Sequence, residues 1–312
     1  MCTAVSLTTD KHHYFARTLD LEYHYNESVT LAPRRYPLSF TDGTTCTDHP
    51  AILGMAYVTE GYPLYYDAMN EHGLCMAGLA FSGFCTYAPQ DIPHTAHRLA
   101  PWELIPYVLA NCRTADDAKA ALSHTVLEDI PHSDSLQNQP MHWMIADKTA
   151  SIVLETDADG RICIHDNPAG VLTNAPSFPQ HLSHLAGYEH LTPHPRTDLP
   201  SDSIYSASPR GTGACGLPGD WSSPSRFVRA AFLRRHAVVT GPISAFSLLD
   251  SLKVPRGVSY AENGQPIVTV YSAVMEPHCF GYSYQTEDNP TPRTVTPTAL
   301  EIRGSLCISV FI

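Results

Sequence analysis

Residues 1–20 read MCTAVSLTTDKHHYFARTLD, and this stretch decides the fold. Residues 2–8 are predicted to form a strand, and residues 14–17 the strand that returns after a turn at 9–11. The chain therefore begins with a hairpin. In such a hairpin Cys2 lies at a strand end, and the residues just past the returning strand come back beside it.

Two further hairpins are predicted in the second half of the chain. Met141–Ala146 and Ser151–Glu155 are joined by a short polar turn, and Ile267–Val274 precedes a second apolar strand at Phe280–Thr286. Consecutive strands joined by short turns pair antiparallel. We therefore expect antiparallel sheet to dominate.

Helical patterns occur in two stretches. Trp102–Leu122 is predicted to be helical, with a break and a new start capped by Thr114. Ser223–His236 is predicted to be a second helix, with Ser223 as N-cap and Pro224 as its first residue. Helices separated by hairpins, without βαβ alternation, indicate an α+β fold in which helices cover two stacked sheets.

The length and composition favour one core. The chain has 312 residues, of which 43% are hydrophobic, and we expect residues 1–312 to form a single domain. The segment 181–218 is rich in Pro, His, Ser and Gly. We interpret it as an ordered excursion within that domain rather than as a linker.

Charge excludes several classes of partner. Asp and Glu number 31 against 19 Lys and Arg, which gives a net charge of −12. Such a surface should repel nucleic acid and anionic membrane, so we expect a small-molecule partner. No run of about 18 apolar residues and no export leader are present, which predicts a soluble protein that is not exported. The nine cysteines, an odd number without a CxxC pair, indicate reduced thiols in the cytoplasm.

Cys2 can become a nucleophile if Met1 is removed, which methionine aminopeptidases do when the second side chain is small. A thiol has an ordinary pKa of about 8.5 and an α-amine of about 7.7, so one residue can supply nucleophile and base. Such a nucleophile needs a cation, a carboxylate and oxyanion donors. Arg17 and Asp20 are candidates for the first two. Alone, a cysteine at position 2 is more often an ordinary small residue.

Over almost its whole length the chain resembles the choloylglycine hydrolase family, which includes bile salt hydrolases and penicillin V acylases. The segment Gly216–Val228, GLPGDWSSPSRFV, is the most specific match. The other matching stretches are Met1–Thr3, Phe15–Asp20, Asn70–Leu74, Ala77–Leu79, His142–Met144 and Val171–Asn174.

The resemblance implies the four-layer αββα fold of N-terminal nucleophile hydrolases, in which two antiparallel sheets lie between helix layers. It also implies a homotetramer assembled through the excursion, without a metal or organic cofactor. The implied substrate is a conjugated bile acid, cleaved at the amide to glycine or taurine through a thioester, with transfer to another amine as a side reaction. The implied site comprises Cys2 as nucleophile, Arg17 as thiolate stabiliser, Asp20 as partner of the α-amine, Asn174 and the Ala80 N–H as oxyanion donors, and Arg226 as a supporting cation.

Position 80 departs from the family pattern, in which bile salt hydrolases usually carry Asn and penicillin V acylases Tyr. Ala80 keeps the backbone donor but removes any side-chain hydrogen bond, which affects substrate preference and rate.

By matching the family's pocket loops, we expect five substrate contacts: Leu19, Thr59, Tyr66, His132 and Leu136. Tyr62, Leu64, Tyr65 and Tyr66 are equally consistent with lining an apolar pocket or with packing a loop on the core.

Alternatives to bile amides stay open. Penicillin V acylase and acyl-homoserine lactone cleavage use the same site chemistry, and a catalytically silent steroid-binding homologue would keep the fold. The GxGxxG match at 211–216 lacks a following helix start, so it does not indicate nucleotide binding. His181, His184, His190 and His194 lack a recognised ligand spacing and are interpreted as polar residues of the excursion.

Overall fold

The computed structural model describes residues 1–90, 97–195 and 209–311. The strands in chain order are β1 Cys2–Thr8, β2 His13–Leu21, β3 Ser28–Ala32, β4 Leu38–Ser39, β5 Thr45–Cys46, β6 Ile52–Thr59, β7 Tyr62–Asn70, β8 Cys75–Ala80, β9 His97–Leu99, β10 Thr125–Leu127, β11 Met141–Ala146, β12 Ser151–Thr156, β13 Ile162–Asp166, β14 Val171–Leu172, β15 Val268–Glu276, β16 Gly281–Thr286, β17 Arg293–Val295 and β18 Ile308–Phe311. The helices are α1 Leu104–Asn111, α2 Ala115–Leu122, α3 Phe178–Ala186, α4 Ser223–His236, α5 Pro242–Asp250 and α6 Ala299–Ile302, with 3-10 turns at Pro101–Glu103, Thr212–Ala214 and Pro277–Cys279.

Two large antiparallel sheets form the centre of the molecule. A six-stranded sheet has the order β14-β1-β2-β15-β16-β17, and an eight-stranded sheet has the order β13-β12-β11-β8-β7-β6-β3-β18. All three predicted hairpins occur, at β1–β2, β11–β12 and β15–β16. The short strands β9 and β10 pair parallel outside the two sheets.

The sheets stack, and helices cover both outer faces. One apolar cluster fills the space between the sheets and beneath α4 and α5, and includes Phe15, Met144 and Phe227. A second cluster, with Leu104 and Ile145, lies between α1, α2 and the eight-stranded sheet. This arrangement is the predicted four-layer αββα fold, so the expected fold class is confirmed.

The β1–β2 hairpin sets which groups meet at Cys2. Cys2 is opposite Leu19, and Ala4 is opposite Arg17. Opposed residues share a face and neighbours alternate, so Cys2 and Arg17 point between the sheets while Asp20 points toward the helices. The predicted end of the returning strand at Arg17 is too early. Strand β2 continues to Leu21 because β15 pairs along its other edge.

The helix starts follow local capping chemistry. The break between α1 and α2 is as predicted, and the Thr114 hydroxyl accepts a hydrogen bond from the Asp117 N–H. Helix α4 spans the predicted residues, but its N-cap is Ser222 and Ser223 is the first helical residue. The assignment of Ser223 as N-cap is therefore wrong, because its hydroxyl instead accepts from the Asn174 N–H at 2.8 Å.

The segment 181–218 begins inside a helix, since α3 runs from Phe178 to Ala186. Residues 196–208 of this excursion lie outside the described residues. Across the described ranges, no helix combines the length and apolar character needed to cross a membrane.

Candidate active site

Cys2 begins strand β1 and is only 3% exposed. In this structure Met1 precedes it and continues the pairing with β2. The Met1 ammonium donates to the Asp20 carbonyl at 2.5 Å, and the Asp20 N–H donates to the Met1 carbonyl at 2.8 Å. The nitrogen of Cys2 is consequently an amide N–H and has no basic lone pair.

That nitrogen is held by Asn174, the second residue after β14. The Cys2 N–H donates to Asn174 Oδ1 at 2.8 Å, and Arg226 Nη2 donates to the same oxygen at 2.7 Å. Arg226 Nη1 donates to the Cys2 carbonyl at 2.5 Å and to Thr3 Oγ1 at 2.7 Å. Arg226 from α4 and Asn174 therefore fix both polar groups of the Cys2 backbone.

The other end of the Asn174 side chain reaches Ala80, the last residue of β8. Asn174 Nδ2 donates to the Ala80 carbonyl at 2.8 Å. An amide nitrogen carries two hydrogens. Within the described residues, one hydrogen of Asn174 Nδ2 bonds to Ala80 and the other has no partner. Ala80 lines the same cavity as Cys2, and its methyl group offers no hydrogen bond. The two residues predicted to supply the oxyanion donors, Asn174 and Ala80, are thus joined directly by a hydrogen bond.

Arg17 lies on the inter-sheet side of Cys2 and is fully buried. Its Nη1 donates to the Tyr66 carbonyl at 3.0 Å and to Asp67 Oδ2 at 3.2 Å. Burial alone would lower the pKa of Arg17, but the nearby Tyr271, Cys2 and Asp67 raise it above its ordinary value. Nη2 is buried and has no hydrogen-bond partner among the described residues. One guanidinium N–H group is thus free to face a thiolate.

Asp67 anchors Arg17, although it belongs to none of the predicted site residues. The hydroxyls of Tyr271 and Tyr282 donate to its two carboxylate oxygens, at 2.5 and 2.7 Å. Burial raises the pKa of Asp67, and Arg17 with both hydroxyls acts in the opposite direction. A carboxylate in a buried, otherwise apolar strand was the available sequence signal, since such groups persist only when paired.

Asp20 occupies the opposite side of the strand, facing the helices. Its carboxylate accepts from Thr269 Oγ1 at 2.6 Å and from Thr18 Oγ1 at 3.5 Å. Burial lowers the pKa of Arg226, while the nearby Asp20 and Cys2 side chains act in the opposite direction. The carboxylate is therefore near Arg226, and only the Asp20 backbone bonds to Met1.

His181 lies behind the site and is fully buried, so its interpretation as a polar excursion residue is wrong. The cause is helix α3, which turns this position toward the site. His181 Nε2 lies 2.8 Å from the Asn174 carbonyl, and its ring stacks on Phe227 at 4.6 Å. Burial lowers the pKa of His181 to about 4. Neutral His181 therefore donates to the backbone of Asn174 and holds that residue in place.

A cavity of about 680 Å³ opens over Cys2. Four of the five predicted contacts line it, namely Leu19, Tyr66, His132 and Leu136, whereas Thr59 does not. Thr59 ends β6 opposite Tyr62, at the turn that joins β6 to β7. Further lining residues, which were not among the predicted contacts, are Tyr25, Tyr57, Trp102, Ile105 and Met141.

The aromatic cluster predicted to line a pocket or pack a loop does both. Leu64, Tyr65 and Tyr66 line the cavity, while the Tyr62 ring packs edge-on against Trp102 at 5.1 Å. The cavity wall is therefore largely apolar, with Glu22 and His132 as an acidic and an imidazole residue along it.

Two stacked antiparallel sheets between helix layers, with a cysteine at the start of a central strand, define the N-terminal nucleophile hydrolase class. The chain belongs to the choloylglycine hydrolase family of linear amide C–N hydrolases, whose family model matches residues 2–302.

Individual relatives agree with this family. The chain is 39% identical over 302 residues to a bile salt hydrolase/transferase of Lactiplantibacillus plantarum, covering 95% of this chain and 92% of the relative. The crystal structure of a mutant conjugated bile acid hydrolase from Clostridium perfringens superimposes with a TM-score of 0.92 at 31% identity, over 100% of this chain and 97% of that one. Penicillin V acylase from Agrobacterium tumefaciens shares the fold, with a TM-score of 0.76 at 20% identity over 99% of this chain and 90% of that one.

Proposed function

We propose that this protein hydrolyses the amide that joins a bile acid to glycine or taurine, with Cys2 as nucleophile after Met1 is removed. The observation that carries the proposal is the placement of Cys2. Its side chain is close enough to Arg17 to influence that guanidinium and lies beneath a cavity of about 680 Å³, and its nitrogen is held by Asn174. Full-length similarity to bile salt hydrolases supports the choice of substrate.

Removal of Met1 has two consequences at this site. It converts the Cys2 N–H into an α-amine, which can accept a proton. It also empties part of the cavity, because Met1 is among the lining residues. The Asp20 carbonyl, which accepts from the Met1 ammonium here, then becomes available to the new amine.

In the first half of the reaction the Cys2 thiol transfers its proton to the α-amine, and the sulfur attacks the substrate carbonyl. Arg17 Nη2 stabilises the thiolate, and the Ala80 N–H with the second Asn174 Nδ2 hydrogen holds the oxyanion. The C–N bond breaks as the α-amine donates the proton to the leaving nitrogen. The products are a Cys2 thioester and free glycine or taurine.

In the second half, water attacks the thioester while the α-amine takes its proton. The sulfur leaves and recovers that proton, and the bile acid is released. An amine in place of water would give a new amide, which is the transfer reaction named for the Lactiplantibacillus plantarum relative. Acyl transfer is thus part of the proposal.

The cavity suits a bulky apolar acyl group. Ligand cavities of about 300–1,000 Å³ with apolar walls bind drug-sized molecules, and a steroid is of that kind. Tyr66, Trp102 and Ile105 give this cavity such walls. Within the proposal, the protein works in the cytoplasm as a single-domain homotetramer.

The test is product release from purified protein supplied with glycocholate, taurocholate or penicillin V. We expect glycine and taurine to appear, and 6-aminopenicillanate only slowly. Release of 6-aminopenicillanate alone would assign the chain to penicillin V acylases. A silent binding homologue would release nothing and would show no unusually reactive thiol on titration.

A further inference from the structure

A group of three metal-binding side chains lies at the turn between β15 and β16. Glu276 is the last residue of β15, the 3-10 turn Pro277–Cys279 follows, and Gly281 starts β16. One ligand atom from each of Glu276, His278 and Cys279 lies within 4.8 Å of the other two. Carboxylate oxygen, imidazole nitrogen and thiolate sulfur are all ligands of Zn²⁺, at about 2.0–2.3 Å.

This turn is far from the hydrolytic site. Met275 pairs with Phe15 on β2, whereas Cys2 is opposite Leu19 at the other end of that strand. Phe15 and Leu19 are four residues apart along the strand, a distance of about 13 Å. An ion at the turn would therefore take no part in the chemistry at Cys2.

The surrounding residues orient the three side chains. Ser283 Oγ donates to Glu276 Oε1 at 2.9 Å, which fixes the carboxylate. The absence of a side chain at Gly281 leaves room for the sulfur, since a Cβ there would lie 3.1 Å from Cys279 Sγ. The His278 ring stacks on His12 at 4.0 Å between centroids. Such outer contacts are typical of metal sites, where they hold ligand side chains in orientation.

The electrostatics of the turn also favour a cation. Among the ion pairs within residues 1–90, 97–195 and 209–311, none involves Glu276. The Glu276 carboxylate therefore lies at the turn without an ion-pair partner among these residues.

We propose that Glu276, His278 and Cys279 bind one thiophilic divalent cation of the Zn²⁺ type, with water in the fourth position. Cys279 and His278 are exposed, so the ion can enter from solvent. Coordination displaces the thiol proton, and the ion then neutralises the thiolate and the Glu276 carboxylate together.

The test uses the full chain, freed of metal by a chelating resin, and titrates it with Zn²⁺ by calorimetry. Co²⁺ serves as a second probe because a cobalt–thiolate bond gives a charge-transfer band in the near ultraviolet. We expect one tight site, lost in Cys279→Ser and in His278→Ala. Ser283→Ala, which removes only an outer contact, should weaken binding by about 10-fold.

Two control variants separate this site from other thiols. Cys215→Ser removes another exposed cysteine and should leave the affinity unchanged. Cys2→Ala removes the aminothiol that would form at a processed N-terminus and should also leave the tight site intact. Unchanged affinity in Cys279→Ser, or loss of the tight site only in Cys2→Ala, would overturn the proposal.

Discussion

Two fully buried arginines flank Cys2, and they differ in their partners. Arg17, between the sheets, pairs with the carboxylate of Asp67 at 3.2 Å. Arg226, on the helix side, donates instead to the Cys2 carbonyl, Thr3 Oγ1 and Asn174 Oδ1. The inter-sheet cation is thus neutralised by an ion pair, while the helix-side cation is held by neutral oxygens.

The difference indicates separate tasks. The groups around Arg17, including Tyr271, Cys2 and Asp67, raise its pKa despite burial, and its Nη2, unpartnered within the described ranges, suits it to stabilise a thiolate. Burial lowers the pKa of Arg226, and its three short hydrogen bonds fix the Cys2 backbone and Asn174. We therefore assign thiolate stabilisation to Arg17 and positioning to Arg226.

The largest effect should come from removing the group that both arginines face. Cys2→Ala should abolish product release, because Cys2 is the one cysteine among the described residues that lines the cavity, while the thermal unfolding midpoint stays close to that of the parent. Release of glycine or taurine is the measurement. Turnover that survives this substitution would contradict the assignment of the nucleophile.

Breaking the inter-sheet pair should have the next largest effect. Asp67→Asn leaves Arg17 buried without its counter-charge and should lower the free energy of unfolding by about 3–5 kcal/mol. Urea denaturation gives the value. The matched control is Asp159→Asn, which removes a surface partner of Arg161 and should cost less than about 1 kcal/mol. An equal loss of unfolding free energy in the two variants would show that the buried ion pair stabilises the protein no more than the surface pair does.

A third experiment separates the tasks of the two arginines. Arg226→Lys keeps the charge but not the forked hydrogen bonds, so kcat should fall by about 100-fold with little change in KM or in the alkylation rate of Cys2. Arg17→Lys should instead shift the pH dependence of Cys2 alkylation upward. If both variants showed the same pH dependence of Cys2 alkylation, the two arginines could not be assigned separate tasks.

The smallest effect near neutral pH concerns His181, on the Arg226 side. Its pKa is about 4 in the folded protein against an ordinary 6.5, so the unfolded chain binds the proton more readily. The contribution of neutral His181 to the free energy of unfolding is complete above about pH 6.5 and is lost as the pH falls toward 4. His181→Gln should flatten that decline in urea midpoints, and should lower kcat because the flexible amide loses the stack on Phe227 and holds the Asn174 carbonyl less rigidly.

His13 is the matched control, since burial lowers its pKa to about 4 as well. His13→Gln should flatten the stability profile to a similar extent but leave kcat unchanged. An unaltered pH profile in His181→Gln would show that this imidazole is not held neutral in the folded protein.

Local patterns predicted much of the fold, because strands, caps and short turns depend on neighbours in sequence. The β1–β2 hairpin and the break capped by Thr114 are examples. The N-cap of α4 was misplaced because Ser223 bonds to Asn174, 49 residues away. The capping pattern depends on residues next to the helix start, so it cannot predict a contact across 49 residues.

The site residues show the same division between what local patterns predict and what depends on long-range contacts. The position of Cys2 and the resemblance together identified the residues around its backbone, such as Asn174. The anchor of Arg17 was missed because Tyr271 is 204 residues from Asp67 and looks like an ordinary core residue of β15. His181 was missed because the Pro- and His-rich composition of its segment concealed α3.

The most direct test of the account is intact-protein mass spectrometry after rapid quenching of a reaction with glycocholate. We predict a bile-acyl adduct on a chain that lacks Met1, located by peptide mapping on the N-terminal cysteine. An adduct on another cysteine, or full turnover by a chain that retains Met1, would contradict it.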